Sequence, residues 1–142
     1  MAVLTLWDWA LMENEILKSL DELLAATNCT VGNDLVFIPD FKASFNELFK
    51  NKVYTDAEIT YCDQFDNAIL HYASTWAAKE AVYKAIKQID TSTLGWKKIE
   101  ITRPKAGGKP QVIIHQNPGR YKISLTISHD GGYVWAIALI NS

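Results

Sequence analysis

Three polar groupings interrupt otherwise apolar stretches, and their residue types can do chemistry together. Asp34 lies in the middle of the run Thr30 to Ile38, T-V-G-N-D-L-V-F-I. Glu80 and Lys84 stand four residues apart in S-T-W-A-A-K-E-A-V-Y-K-A-I-K, from Ser74 to Lys87. Ser128-His129 close a third apolar run. A carboxylate on a buried strand needs a partner; for Asp34 that is a salt bridge, a turn beside Gly32, or a metal ion. Glu80 and Lys84 have an ordinary reading as an exposed i,i+4 helical pair. Together, however, two carboxylates and a lysine suit phosphate chemistry. Magnesium takes one or two protein carboxylates and fills its other positions with water and phosphate oxygens. A lysine adds a compact positive charge for the same phosphates. The turn Pro104-Lys-Ala-Gly-Gly-Lys-Pro110 offers exposed backbone N–H groups and further ammonium groups.

Other chemistries lack their residues. The chain has no His/Cys cluster spaced for zinc, no phosphate-binding P-loop and no GxGxxG. Ser128 and His129 are strand neighbours whose side chains point to opposite faces, a poor nucleophile–base pair. His129 reads equally as a turn residue or a functional one.

The elements that must position these groups follow from periodicity. Ser74–Lys87 contains neither Gly nor Pro and is rich in Ala, so it predicts a strong helix. Ala73, Ala77, Glu80, Ala81 and Lys84 share one face of it, small residues that admit a second backbone or a ligand. The helix is expected to start near Asp63 to Asp66 and run to about Gln88, roughly 34 Å. Ser44-Phe-Asn-Glu47 and Thr55-Asp-Ala-Glu58 match the capping box, which predicts two short helices and explains Glu58 as a cap. Residues 4–27 place Trp9, Met12, Ile16, Leu20 and Leu23 at helical spacing, an amphipathic helix expected to pack on the domain. After Gly95, strands are expected over Trp96–Arg103 and Gln111–His115, followed by a hairpin of Tyr121–Ser128 and Tyr133–Ile140. Helices first and an antiparallel sheet second define an α+β domain.

With 142 residues the chain makes one domain. We divide it into an N-terminal amphipathic helix extension, 1–29, and a domain over 30–142. A net charge of −2 gives no general attraction to nucleic acid. No apolar stretch is long enough to span a bilayer, and acidic residues break the N-terminal apolar run that a signal peptide would need. Cys29 and Cys62 lack CxxC spacing, so we expect reduced thiols and a cytoplasmic protein.

The motifs carry a resemblance. G-N-D-L-V at 32–36, W-A-A-K-E-A-V-Y-K-A at 76–85 and L-T-I-S-H-D at 125–130 follow the order and spacing of the 4′-phosphopantetheinyl transferases. Lys52-Val-Tyr-Thr-Asp-Ala-Glu58 resembles that family's helix opening, and Gly108-Lys109-Pro110 its G-K-P turn. The chain length is similar to the short, holo-acyl-carrier-protein synthase type. The resemblance implies that Asp34 and Glu80 hold Mg²⁺ against the pyrophosphate of coenzyme A and that Lys84 neutralises phosphate charge. It also implies that a serine of an apo acyl carrier protein, from fatty acid biosynthesis or from secondary-metabolite synthesis, attacks the β-phosphorus and releases 3′,5′-ADP. Lys79, Lys84, Gly108, Lys109, Pro110 and His129 match positions near the nucleotide, and short members are homotrimers with the site between subunits. Three positions depart from the pattern. Phe37 and Asp40 stand where the family usually has Glu and Arg, and Thr75 replaces a basic residue. The Arg lies where short members meet the carrier protein, and the other basic residue helps to grip coenzyme A. These departures motivate an alternative, a non-catalytic relative that binds coenzyme A or a protein.

Overall fold

A computed structural model describes residues 5–105 and 107–141. The chain runs α1 (Leu6–Thr27), β1 (Cys29–Phe37), α2 (Ile38–Ser44), α3 (Glu47–Val53), α4 (Asp56–Asp63) and α5 (Ala68–Lys87). A 3₁₀ turn at Trp96–Lys98 then leads to β2 (Ile99–Thr102), β3 (Gln111–Ile114), β4 (Lys122–Asp130) and β5 (Tyr133–Asn141). This is the α+β order expected from the sequence.

The sheet is antiparallel, with strand order β1-β5-β4; β2 and β3 form a separate antiparallel pair. Alternation decides which side of the sheet is inside. Gly32, Asp34 and Val36 of β1 and Val134, Ala136, Ala138 and Ile140 of β5 are buried beneath α5. Helix α5 meets them with a stripe of alanines, Ala73, Ala77, Ala81 and Ala85, all fully buried. The approach is closest at Gly32. A Cβ there would lie 2.0 Å from the Ala81 carbonyl oxygen and 2.6 Å from the Ala85 nitrogen. Only glycine permits this contact, and it brings the middle of β1 against the C-terminal half of α5. The other side of α5 is anchored by aromatic packing: Trp76 lies 5.1 Å from Phe49 and 4.8 Å from Trp96, and Tyr83 lies 4.9 Å from Trp96.

The local signals held to different extents. Thr55 and Glu58 form the expected capping box of α4. At the other candidate box, Asn46 rather than Ser44 caps the helix, accepting a hydrogen bond from the Phe49 N–H at 2.8 Å. Ser44 ends α2 instead, its hydroxyl donating to the Phe41 carbonyl. Helix α5 starts at Ala68, later than expected, because Asn67 supplies its N-cap. Trp96–Lys98 form the 3₁₀ turn rather than the start of a strand. The β4–β5 hairpin turns on Gly131-Gly132 alone, both at positive φ, so His129 and Asp130 are strand residues and not turn residues.

Helix α1 departs from expectation most. Its capping box is complete, with the Thr5 N–H donating to Asp8 at 2.8 Å and the Asp8 N–H to the Thr5 hydroxyl at 3.2 Å. Yet residues 5–22 are exposed throughout, Trp9 by 57% and Ile16 by 55%, so this part of the helix does not pack on the domain. The inner face of the sheet is already covered by α5. Among the described residues, no helix is long and apolar enough to cross a membrane.

Candidate functional site

Asp34 and Lys84, fifty residues apart in sequence, meet where β1 crosses α5. The Lys84 ammonium donates to Asp34 Oδ1 at 2.8 Å and to the Asn33 carbonyl at 3.1 Å. Asp34 is buried on the inner face of the sheet, while the Lys84 side chain is half exposed. One turn earlier on α5, Glu80 comes within hydrogen-bonding reach of the same Asp34 carboxyl. Partial burial and then the Asp34 carboxylate push the Glu80 pKa up to about 7, with Lys84 only partly offsetting them. Two carboxyl groups therefore share one position and one lysine.

The donor set fits a small divalent cation. Among the described residues no group of three His, Cys, Asp or Glu side chains converges to hold a metal. Magnesium asks for less, since water and phosphate oxygens complete its shell. Burial, and then the nearby Asp34 carboxylate, hold a proton on Glu80 up to about pH 7, and a divalent cation would relieve the second of these.

Lys79, the other lysine of the motif, is not brought to this group. It is fully buried, its ammonium donating to Glu58 Oε1 at 2.6 Å and to the Ile99 carbonyl. The second Glu58 oxygen accepts the Ile101 N–H at 2.9 Å. Glu58 is thus helix cap, counterion and strand anchor at once, joining α4, α5 and β2. The sequence carried a signal for this. Lys79 shares its helical face with Thr75, Val82 and Ile86, an interior face on which an ammonium needs a carboxylate.

The remaining expected residues lie apart from Asp34, Glu80 and Lys84. Gly108 and Lys109 are exposed in the β2–β3 connection, Pro110 is half-buried, and Lys109 donates to the Ser124 hydroxyl of β4 at 3.1 Å. His129 is exposed on β4 opposite Val134. A group missed in the sequence is Arg103. Its guanidinium donates to the buried Thr75 hydroxyl at 3.1 Å and lies 4.7 Å from the centre of the Tyr61 ring. A cation therefore stands beside the position that lost its basic residue, supplied from the end of β2. Arg103, Tyr61, Phe65 and Lys105 line a cavity of about 480 Å³. Phe37 packs on Tyr133 at 4.9 Å, and Asp40 is exposed on α2.

Comparison with known proteins decides the family. A family model of the 4′-phosphopantetheinyl transferase superfamily matches residues 30–138. The chain belongs to this superfamily. It is 37% identical to a holo-[acyl-carrier-protein] synthase of Chlorobaculum parvum over 113 residues, covering 78% of this chain and 96% of that one. It is 40% identical to the synthase of Thermodesulfovibrio yellowstonii over 114 residues, with the same coverage. Among solved structures, an ACPS–CoA complex described from Chronobacterium ammoniagenes superimposes with a TM-score of 0.66 at 28% identity. That match covers 80% of this chain and 96% of the other. The superfamily match begins after α1, which stands outside it.

Proposed function

We propose that this chain is a holo-acyl-carrier-protein synthase, which moves 4′-phosphopantetheine from coenzyme A to a serine of an apo acyl carrier protein. The observation that carries this is the meeting of Asp34, Glu80 and Lys84 at the β1–α5 crossing in a chain of this superfamily. In the reaction the serine oxygen bonds to the β-phosphorus of coenzyme A. The bond from that phosphorus to the bridging oxygen breaks, and 3′,5′-ADP leaves with the electron pair. Lys84, half exposed and already directed at Asp34, is placed to neutralise phosphate charge. Asp34 and Glu80 would hold Mg²⁺, which when bound would withdraw charge from the pyrophosphate oxygens. Before the cation arrives, Glu80 holds a proton near neutral pH, so binding it releases that proton. The serine hydroxyl gives up its proton to Glu80 or to a water at the site. We assign Gly108, Lys109, Pro110 and His129 to the nucleotide, with Arg103 supporting the Thr75 side of its site. The buried Lys79 serves instead to hold the helix in place.

The outer face of the sheet supports a homotrimer with the site shared between subunits. Val31, Leu35 and Phe37 of β1 and Tyr133, Trp135 and Leu139 of β5 form one exposed apolar face, which one chain leaves uncovered. A second copy would cover it, and the site would then be shared where the subunits meet. A cytoplasmic location and a fatty-acid carrier protein complete this reading.

The test is the intact mass of an apo carrier protein after incubation with this protein, coenzyme A and Mg²⁺, beside an EDTA control. The expected result is a gain of one phosphopantetheinyl group that EDTA abolishes and Asp34→Asn removes. Coenzyme A binding without modification of any of several carriers would replace this reading with the non-catalytic relative.

A further inference from the structure

We propose that α1 is a self-association element, packing against the α1 helices of other copies of this chain; the inference builds on the trimer reading above. The sequence of α1 is organised for several helices meeting along one face. Leu6, Trp9, Glu13, Ile16 and Leu20 recur at alternating spacings of three and four residues, the pattern of a coiled-coil seam. Met12 and Leu17 flank that seam without charge, which widens the apolar face beyond what a two-stranded pairing needs. The acids Asp8, Glu15 and Glu22 repeat every seven residues and therefore form a stripe on the opposite side, where exposed Trp7 and Leu11 also lie. Every described residue of this face is solvent-exposed in the single chain.

Two further features select a second copy as the occupant. Helix α1 is joined to β1 through Asn28 alone, in the left-handed conformation at φ 46°, and β1 carries the apolar outer sheet face. In a closed cyclic assembly all equivalent residues lie on one ring, so packing through the sheet starts every α1 from the same end. The charge balance of residues 6–22, five acids against Lys18, opposes attachment to an anionic bilayer. Glu13 is the single charge within the seam, where copies would gather carboxylates together.

Sedimentation equilibrium of the full chain over a wide dilution range tests this. It is run beside an α1 variant (Ile16→Asp with Leu20→Asp), a sheet-face variant (Leu35→Asp with Trp135→Asp) and Glu13→Leu. Far-ultraviolet circular dichroism checks that each is folded, and Ile16→Ser with Leu20→Ser replaces an α1 variant that is not. The expected result is that the α1 variant dissociates at a concentration at least 100-fold higher than the unmodified chain, and that Glu13→Leu dissociates at a lower one. Identical dissociation of the unmodified chain, the α1 variant and Glu13→Leu would overturn the role of α1 and leave the sheet interface standing. Dissociation by the α1 variant but not by the sheet-face variant would support α1 and overturn the sheet interface. A full chain monomeric at every concentration would overturn both. Binding to phosphatidylglycerol vesicles that only the α1 variant loses, without change in mass, would assign the helix to a membrane and overturn the inference.

Discussion

Replacing Glu80 by Gln should stabilise the metal-free protein at alkaline pH while leaving it unchanged in acid. The folded protein holds the Glu80 proton up to about pH 7, whereas the unfolded chain releases it near 4.5. Within that window the native state binds more protons than the unfolded one, so this contribution to stability falls as pH rises. It is fully present below about 4.5 and lost above about 7. At about 1.4 kcal/mol per tenfold change in proton affinity, the ceiling is about 3 kcal/mol. Glu80 is only half-buried, and solvent screening reduces this to about 1 kcal/mol. Gln keeps the shape and, like the neutral acid, can donate to Asp34 without adding charge. Urea denaturation of both proteins at pH 5 and pH 8, in EDTA, should show Glu80→Gln gaining about 1 kcal/mol on the wild type between the two, or about 3 °C in melting temperature. Mg²⁺ should reduce that gain, because a cation between the carboxylates removes the repulsion. Effects of the other titrating groups cancel in the comparison. A difference that stays flat with pH, or that favours the wild type at pH 8, would refute the sharing of one site by Asp34 and Glu80.

Two further outcomes concern the scaffold. Gly32→Ala should lose about 3 kcal/mol of stability, read from urea midpoints, because its Cβ would meet the backbone of α5 at Ala81 and Ala85 rather than a movable side chain. Glu58→Gln should cost about 3–5 kcal/mol, since it leaves the Lys79 ammonium buried without its counterion; Glu58→Gln combined with Lys79→Met should recover much of that loss in the same melts.

The sequence alone determined what depends on neighbours a few residues away. Glu80 and Lys84 share a helix face because four residues make about one turn, and Gly32 and Asp34 share a strand face because side chains alternate. The motif order was sufficient to name the superfamily. Thr55 and Glu58 could be read as a capping box because both partners lie within one turn. Tertiary structure decided everything that needed two distant segments to meet. Asp34 acquired Lys84 as its partner only when Gly32 let β1 press against the alanines of α5. The same contact raised the Glu80 pKa, a property of burial and of a charge from another element. Lys79, next to Glu80 in the chain, went to the opposite environment because one residue along a helix is a turn of about 100°. Its carboxylate partner came from α4, and Arg103 reached Thr75 from the end of β2. Local patterning could also show that α1 is amphipathic, but not that its apolar face would go unmet. That depended on α5 having already covered the inner face of the sheet.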